Sequence, residues 1–309
     1  MTNTLTLVQN AVGSQGVVHL EFSARRDRIV GSAFGQGQID VWEVDAADGT
    51  LSLLKQIPSD DALGPNAVRQ DAPHPHQALL DNSARFFAVN DLGTDTILVI
   101  DSLNDAFEVV NRVRVPNAGC GPRHAAFFPP LSAGSDFPTN YIVACELTNE
   151  LVVFALEYLP SNISFTPIQT ISNFGPGLGP ADVEATTAGE LVVSSDKAFV
   201  FVSSRNTGNE TDFISVFSVS GAQGSSGETV ELAFQTAVST GGRVPRMFSL
   251  SDDQEALFVA NQDGAIALQA LPREADTGVL AAQATAALAI EIFGVDGDNK
   301  GPQFVQQIQ

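Results

Sequence analysis

The chain has 309 residues, of which 44% are hydrophobic and 17% charged, so it can bury a large core and is neither collagen-like nor disordered. With 36 acidic residues against 15 basic ones, the formal net charge is −21. A surface of that sign repels phosphate backbones and anionic lipid headgroups, so we expect a small-molecule substrate rather than a nucleic-acid or membrane partner.

The first ten residues, MTNTLTLVQN, lack the basic and apolar regions of a signal peptide. Glycosylation sequons at Asn162 and Asn209 are compatible with secretion, so the sequence leaves two alternatives, a soluble cytoplasmic protein or a secreted one. No apolar run reaches the roughly 18 residues of a membrane span. The two cysteines, Cys120 and Cys145, could form one disulfide. No metal-ligand spacing is present, so we expect neither a metal site nor another cofactor. The sequence does not indicate the oligomeric state.

A β-rich pattern recurs five times along the chain. Each repeat has an apolar strand, a polar turn, a second apolar strand with a polar end, a Gly/Asn/Asp turn and an alternating third strand. A looser fourth strand follows, such as TLSLLKQI or FEVVNRVRV. Loops lengthen some repeats, chiefly at 129–139, 173–182 and 206–212. The repeats start at Val17, Pro75, Pro122, Gly189 and Pro245.

This period predicts an all-β fold, a β-propeller of four-stranded blades forming one domain over residues 1–309. A β-sandwich is the competing interpretation, but a sandwich does not repeat one four-strand unit five times. The segments TLTLVQN, AIEIF and PQFVQQI are expected to supply strands of a further blade. Pairing of N- and C-terminal strands would then close a ring of six or seven blades and remove open sheet edges.

Polar residues recur near the ends of the two inner strands of each repeat, where propeller geometry brings them together. The first strands are preceded by PHPH, GPRH and VPR motifs. The second strands end in Asn90-Asp91, in Glu146, in Ser204-Arg205-Asn206 and in Asn261-Gln262. His19 lies within an alternating strand, and we interpret it as a core histidine.

The motifs APHPHQ, DLGTD, GPRHAAF, SSRN, VPRMFSLSDD and FVANQD resemble the lactonase-type seven-bladed propeller family. That family includes bacterial 6-phosphogluconolactonases and fungal carboxymuconate lactonising enzymes, and the resemblance runs from about Leu5 to Gln262. Relative to the family, this sequence is expected to be shorter by about one blade before APHPHQ. Four positions match the family's proposed catalytic and carboxylate-binding groups: His76, Arg123, Glu146 and Arg205. We expect substrate contacts at His74, His124, Arg246, Asn261 and Gln262.

These residue types suit ring chemistry on a small carboxylated substrate. A histidine can move a proton near neutral pH, a carboxylate can orient it, and two arginines can hold a carboxylate and a developing oxyanion. The resulting hypothesis is a metal-independent enzyme that forms or opens a lactone or related ring. Two alternatives remain: a fungal secondary-metabolite cyclase performing a pericyclic step such as a hetero-Diels–Alder reaction, and a non-catalytic binding propeller. Each polar residue could also serve only to satisfy a buried channel.

Overall fold

The computed structural model describes residues 6–128, 137–176, 179–224, 227–294 and 296–308. The described residues form five four-stranded antiparallel sheets, the blades of a propeller fold, each built from strands consecutive in sequence. Two 3-10 turns, Leu103–Asp105 and Ile290–Ile292, are the helical elements in these ranges. The predicted all-β propeller of four-stranded blades is therefore confirmed.

The strands follow the repeats read from the sequence. Blade 1 comprises β1 (Val17–Phe22), β2 (Arg28–Ala33), β3 (Gln38–Val44) and β4 (Leu51–Pro58). Blade 2 comprises β5 (Pro75–Leu80), β6 (Phe86–Asp91), β7 (Thr96–Asp101) and β8 (Glu108–Arg114). Blade 3 comprises β9 (Pro122–Phe128), β10 (Asn140–Cys145), β11 (Glu150–Leu159) and β12 (Asn162–Ser172). Blade 4 comprises β13 (Thr187–Val193), β14 (Phe199–Arg205), β15 (Phe213–Gly224) and β16 (Gly227–Ser239). Blade 5 comprises β17 (Arg243–Leu250), β18 (Ala256–Asp263), β19 (Ile266–Pro272) and β20 (Ala286–Ala289).

The chain divides into two compact units. The first contains Met1–Arg123 and Tyr158–Ser164, and the second contains His124–Glu157 and Phe165–Gln309. The prediction of one domain over residues 1–309 stays a prediction.

Apolar residues pack between neighbouring blades within each unit. In the first unit, Val41 and Ile57 of blade 1 join Phe87 and Leu98 of blade 2 in one buried cluster. The central strands β6 and β7 read as nearly continuous apolar runs because both of their faces are covered. In the second unit, two further clusters join blade 3 to blade 4 and blade 4 to blade 5. Burying both faces of a blade in this way gives rigid strand ends on which functional side chains can be held.

The turn between the first and second strands has the same geometry in four blades. A serine or aspartate begins it, and the residue three positions later adopts a positive φ while donating its N–H to the first residue's carbonyl. The side-chain oxygen of the first residue then accepts an N–H from the start of the second strand. The residues at positive φ are Arg26, Ala84, Lys197 and Gln254.

A second recurring device lies just before the third strand and binds the next blade. Asp95 accepts the N–H groups of Gly119 and Gly121, which lead into β9. Asp212 accepts the N–H of Val244 in β17. Asn149 Nδ2 donates to the carbonyl of Thr186, just before β13. These bonds fix the approach of each following inner strand, the part of the blade that carries the predicted site residues.

The described residues form five blades, so a ring of six or seven blades closed by N- and C-terminal strands stays a prediction. Residues 6–12 are not a strand, and Ile290–Ile292 is a 3-10 turn because Phe293 and Gly294 donate back to the carbonyl of Ile290. Residues 303–308 also form no strand. Their backbone instead accepts a side-chain bond, from Ser249 Oγ to the carbonyl of Val305. Near the other terminus, the Ser14 hydroxyl and N–H bind the Asp40 carboxylate at 2.6 and 2.7 Å. Because these bonds are local turns or involve side chains rather than strand pairing, the terminal segments add no described strand.

Some features noted in the sequence lie wholly or partly outside the description. Thr4 and Leu5 of TLTLVQN, residues 129–136 of the first long loop and residues 177–178 of the second are outside the described residues. No helix in the described ranges is long and apolar enough to span a membrane. Neither cysteine is a free thiol.

Candidate functional site

The predicted site residues fall in both compact units. His74, His76 and Arg123 belong to the first unit, and the second contains His124, Glu146, Arg205, Arg246, Asn261 and Gln262. The prediction that His76, Arg123, Glu146 and Arg205 face one cavity therefore stays a prediction. One detail differs from the sequence analysis: the PHPH, GPRH and VPR motifs overlap the first strands. His76, Arg123 and Arg246 lie inside β5, β9 and β17, because each of these strands begins before them.

Glu146 and Arg205 form a buried ion pair in the second unit. Arg205 Nη2 lies 2.9 Å from Glu146 Oε2, and the two side chains are 7% and 3% exposed. The same nitrogen donates to the carbonyl of Ala188 at 2.8 Å, while the N–H of Ala188 donates to the carbonyl of Glu146 at 3.1 Å. The pair is thus joined to the start of β13 from both sides. Within the described ranges, Arg205 Nε is buried without a hydrogen-bond partner, so one donor of the guanidinium is unused.

A bulge in β13 shapes this region. The pairing register of β13 with β14 shifts between Ala188 and Leu191. A Cβ on Gly189 would lie 2.4 Å from Ser203 Oγ and 3.0 Å from the carbonyl oxygen of Pro245. Only glycine therefore allows blade 5 to approach so closely at this point. The bulge places Glu190, the next residue, among the buried polar groups.

Glu190 is the residue that the sequence analysis missed. Its Oε1 lies 2.7 Å from His124 Nδ1, and the side chains of His124 and Glu190 are 11% and 9% exposed. The sequence signal was the GE pair opening an otherwise apolar strand, GELVV, where a buried acid needs a partner. The structure thus gives His124 a carboxylate partner within its own unit.

His74 and His76 both contact one aromatic ring in the first unit. The Phe34 ring stacks on His74 with centroids 4.2 Å apart and meets His76 edge-on at 5.9 Å. His74 Nδ1 is 2.8 Å from the carbonyl oxygen of Phe34, and its Nε2 is 3.1 Å from Asp71 Oδ1. These contacts hold His74 in the loop, while His76 is buried on β5. Substrate binding by His74 stays a prediction.

Asp91 organises the end of the second strand in blade 2. Its carboxylate accepts hydrogen bonds from the Ser59 hydroxyl and from the N–H groups of His74 and Gly93. Burial nevertheless raises the pKa of Asp91, because desolvation outweighs these bonds. Its role is to join the loop before β5 to the end of β6.

Arg123 is 1% exposed, and its carbonyl accepts a hydrogen bond from Asn90 Nδ2 at 3.3 Å. The Asn90 amide also lies 3.5 Å from Gln77 Oε1. Asn90, at the end of β6, therefore contacts β5 through its side chain and the start of blade 3 through the Arg123 carbonyl.

The remaining predicted residues lie in blade 5. Asn261 is buried and donates to the carbonyls of Thr240 and Ile266 at 2.8 and 2.9 Å, which holds two turns together. The Gln262 carbonyl accepts the N–H of Gly301, so the C-terminal segment begins its path at the end of β18. Arg246 is half-buried in β17. Substrate contacts at these three residues stay predictions.

Together, the second unit offers a buried guanidinium with a carboxylate partner and a buried imidazole with another. A guanidinium of this kind can bind an anion or a developing oxyanion, and an imidazole beside a carboxylate can accept a proton. Among the described residues, no group of three or more His, Cys, Asp or Glu side chains is arranged to hold a metal ion.

Comparison with known proteins places this geometry in context. Residues 1–291 match the family described as "Lactonase, 7-bladed beta-propeller". The 6-phosphogluconolactonase of Bacillus subtilis is 30% identical over 263 residues, covering 85% of this chain and 67% of that protein. A probable 6-phosphogluconolactonase of Arthroderma benhamiae is 37% identical over 140 residues, covering 44% of this chain and only 32% of its own length.

A solved structure supports the fold. The periplasmic gluconolactonase PpgL of Pseudomonas aeruginosa superimposes with a TM-score of 0.70 at 22% identity, covering 88% of this chain and 70% of that one. At this identity the likeness concerns the fold alone.

Proposed function

The chain belongs to the lactonase family of seven-bladed β-propellers, and from that premise we propose that it is a metal-independent enzyme that opens the ring of an anionic lactone. Homologues named 6-phosphogluconolactonase support an enzyme acting on lactones. A phosphorylated or carboxylated sugar lactone is the proposed substrate class. The net charge of −21 would repel such an anion, so local arginines must bind it.

The observation that carries this proposal is the state of Arg205. Its guanidinium is almost fully buried and oriented by Glu146 and the Ala188 carbonyl, and its Nε has no hydrogen-bond partner among the described residues. A buried N–H without an acceptor is rare in folded proteins, and a substrate carboxylate or oxyanion would supply one. Glu146 would keep the guanidinium in place when no substrate is bound.

In the proposed reaction, water attacks the lactone carbonyl while a histidine accepts its proton. The negative charge that forms on the carbonyl oxygen would be stabilised by a guanidinium, Arg205 or Arg123. The ring C–O bond then breaks, and the proton passes to the ring oxygen. His76 remains the sequence-based candidate for the proton acceptor. Ring closure follows the same path in reverse.

The test measures ring opening of glucono-δ-lactone, 6-phosphoglucono-δ-lactone and a carboxylated muconolactone, each corrected for spontaneous hydrolysis. Arg205→Ala should raise KM if the guanidinium holds a ground-state carboxylate, and lower kcat if it meets charge formed only in the transition state. Arg205→Lys should recover little, because an ammonium lacks the planar fork. Arg112→Ala is the control. It removes an arginine of β8 that pairs with Asp61.

His76→Ala should lower kcat by about 10² to 10⁴ if this histidine moves the proton. Wild-type protein that accelerates none of the three lactones would refute ring opening as the activity. Tight binding of a lactone without turnover would instead favour the binding propeller. Turnover of a diene and dienophile pair in the absence of lactone activity would favour the pericyclic alternative.

A further inference from the structure

His124 and Glu190 form a second buried pair within the second compact unit, distinct from the Glu146–Arg205 pair. They lie on β9 and β13, the first strands of blades 3 and 4, and His124 Nδ1 is 2.7 Å from Glu190 Oε1. A separation this short is a hydrogen bond between the imidazole nitrogen and the carboxyl oxygen. Both side chains are about nine-tenths buried, so solvent screens their interaction only weakly.

The Glu190 carboxylate is held in a fixed orientation. Its Oε1 also accepts the N–H of Leu191 at 3.1 Å, and the N–H of Glu190 donates to Ser203 Oγ at 2.9 Å. Ser203 Oγ in turn donates to the carbonyl of Pro245 at 2.9 Å. Because the Leu191 N–H can only donate, Oε1 acts as the acceptor in that bond, and a carboxylate oxygen can accept a second N–H at the same time.

With Oε1 as the acceptor, His124 Nδ1 must carry a proton, and the neutral ring then has its lone pair on Nε2. We propose that Glu190 is a positioning residue that holds His124 in the Nδ1–H tautomer, and that His124 Nε2 accepts the proton of the ring-opening water. This inference rests on the proposed lactone chemistry. It assigns the proton transfer to His124 rather than to His76.

The step balances without any co-reactant. The oxygen of water forms a bond to the lactone carbonyl carbon, and one water proton moves to His124 Nε2. The imidazolium is stabilised by the Glu190 carboxylate while the charge lasts. When the ring C–O bond breaks, Nε2 returns the proton to the departing oxygen, so the net reaction is the addition of one water molecule. The site is joined to the first pair, since Glu190 lies two residues after Ala188, whose carbonyl accepts Arg205 Nη2.

The first experiment reads the tautomer directly and needs no substrate. The chain has four histidines, so long-range ¹H–¹⁵N spectra of the imidazole rings can be assigned with one His→Gln variant at a time. In the neutral form of the ring, wild-type His124 should show a protonated Nδ1 and an unprotonated Nε2. Glu190→Ala should abolish the preference for that tautomer, and Glu184→Gln, an exposed acid in the segment before β13, should leave it unchanged. An Nε2–H tautomer in the wild-type protein would overturn the role assigned to Glu190.

The second experiment separates catalysis from structure. In His124→Asn the amide Nδ2 can still donate to Glu190, so the fold should be kept while the proton acceptor is lost. We expect its melting temperature to stay within a few degrees of wild type and kcat to fall by about 10² to 10⁴. Glu190→Gln keeps an acceptor oxygen but not the charge, so kcat should fall about tenfold with KM nearly unchanged. A His124→Asn variant with kcat within threefold of wild type would overturn the proton transfer.

These outcomes are distinguishable from failure of the proposed function. If the wild-type protein opens lactones but both variants retain full activity, the inference about His124 is wrong and the proposed function stands. If the wild-type protein opens no lactone, the proposed function and the proton transfer fall together, while the imidazole spectra still decide whether Glu190 fixes the tautomer.

Discussion

Removing Arg205 should have a large effect on stability, because its partner would remain buried. Glu146 is 3% exposed, and its Oε2 lies 2.9 Å from Arg205 Nη2. Truncation to alanine removes the guanidinium from that buried carboxylate and also deletes the bond to the Ala188 carbonyl. Breaking a buried pair from one side costs about 3–5 kcal/mol, which for a chain of 309 residues corresponds to a drop in melting temperature of roughly 5–8 °C.

Replacing both members by apolar residues should be much milder. The double variant Glu146→Leu/Arg205→Met removes both charges of the pair and keeps most of the side-chain volume, so its cost should be at most about 2 kcal/mol. Both variants should lose activity. A role confined to satisfying a buried channel would predict the stability pattern without the loss of activity.

The assay is thermal and urea unfolding followed by far-UV circular dichroism, which reports on all five sheets. Fluorescence is less suitable because the single tryptophan, Trp42, lies in the first compact unit. The control is Lys300→Ala, which removes a cation 71% exposed and 3.3 Å from Asp298 and should change stability by less than about 1 kcal/mol. An Arg205→Ala variant within 1 kcal/mol of wild type, or a double variant as unstable as the single one, would refute this reasoning.

Three further outcomes are expected. Burial raises the pKa of Glu21 to about 7, so the folded state binds the extra proton and stability should fall as pH rises from 4.5 through 7. Glu21→Gln should remove that fall, which is worth roughly 1 kcal/mol after solvent screening, whereas Glu231→Gln at an exposed position of β16 should not. Identical melting curves for wild type and Glu21→Gln at pH 8 would contradict this. Ala84→Gly should stabilise the fold by up to about 1 kcal/mol because Ala84 has a φ of 62°, while Ala237→Gly within β16 should destabilise it, as calorimetry can show. Prolonged dialysis against EDTA should leave activity and melting temperature unchanged, since the sequence has no metal-ligand spacing; recovery with a divalent ion after a loss would show the reverse.

The blades could be predicted from the sequence because their physics is local. Every described sheet can be identified from three local signals. These are the alternation of apolar and polar residues within strands, a turn residue such as Asp81 or Ser194, and the repetition of the whole pattern every four strands. The ends of the chain were harder to interpret, because apolar residues near the termini look like strands until their hydrogen bonds are known. Ser14 binds Asp40 through its side chain, and the residues after Ala289 turn back on themselves.

The sequence identified both members of one polar pair in the second unit. Glu146 and Arg205 were singled out by their place at the ends of second strands and by the family resemblance, and the structure pairs them. Glu190 was missed because its position depends on a bulge in β13 that no strand periodicity reveals. A partner for His124 therefore required the fold of two neighbouring blades, which is a long-range property.

The contacts made by Asp95, Asn149 and Asp212 have an evolutionary consequence. Each one joins the third-strand turn of a blade to the lead-in of the blade that follows, so the connections are between neighbours in sequence and repeat with the blades. A gene duplication or deletion that begins and ends at equivalent points would then carry a whole blade together with its connector, and the remaining connectors would still find matching partners. Such an exchange would change the number of blades without rebuilding the blades that carry the Glu146–Arg205 and His124–Glu190 pairs.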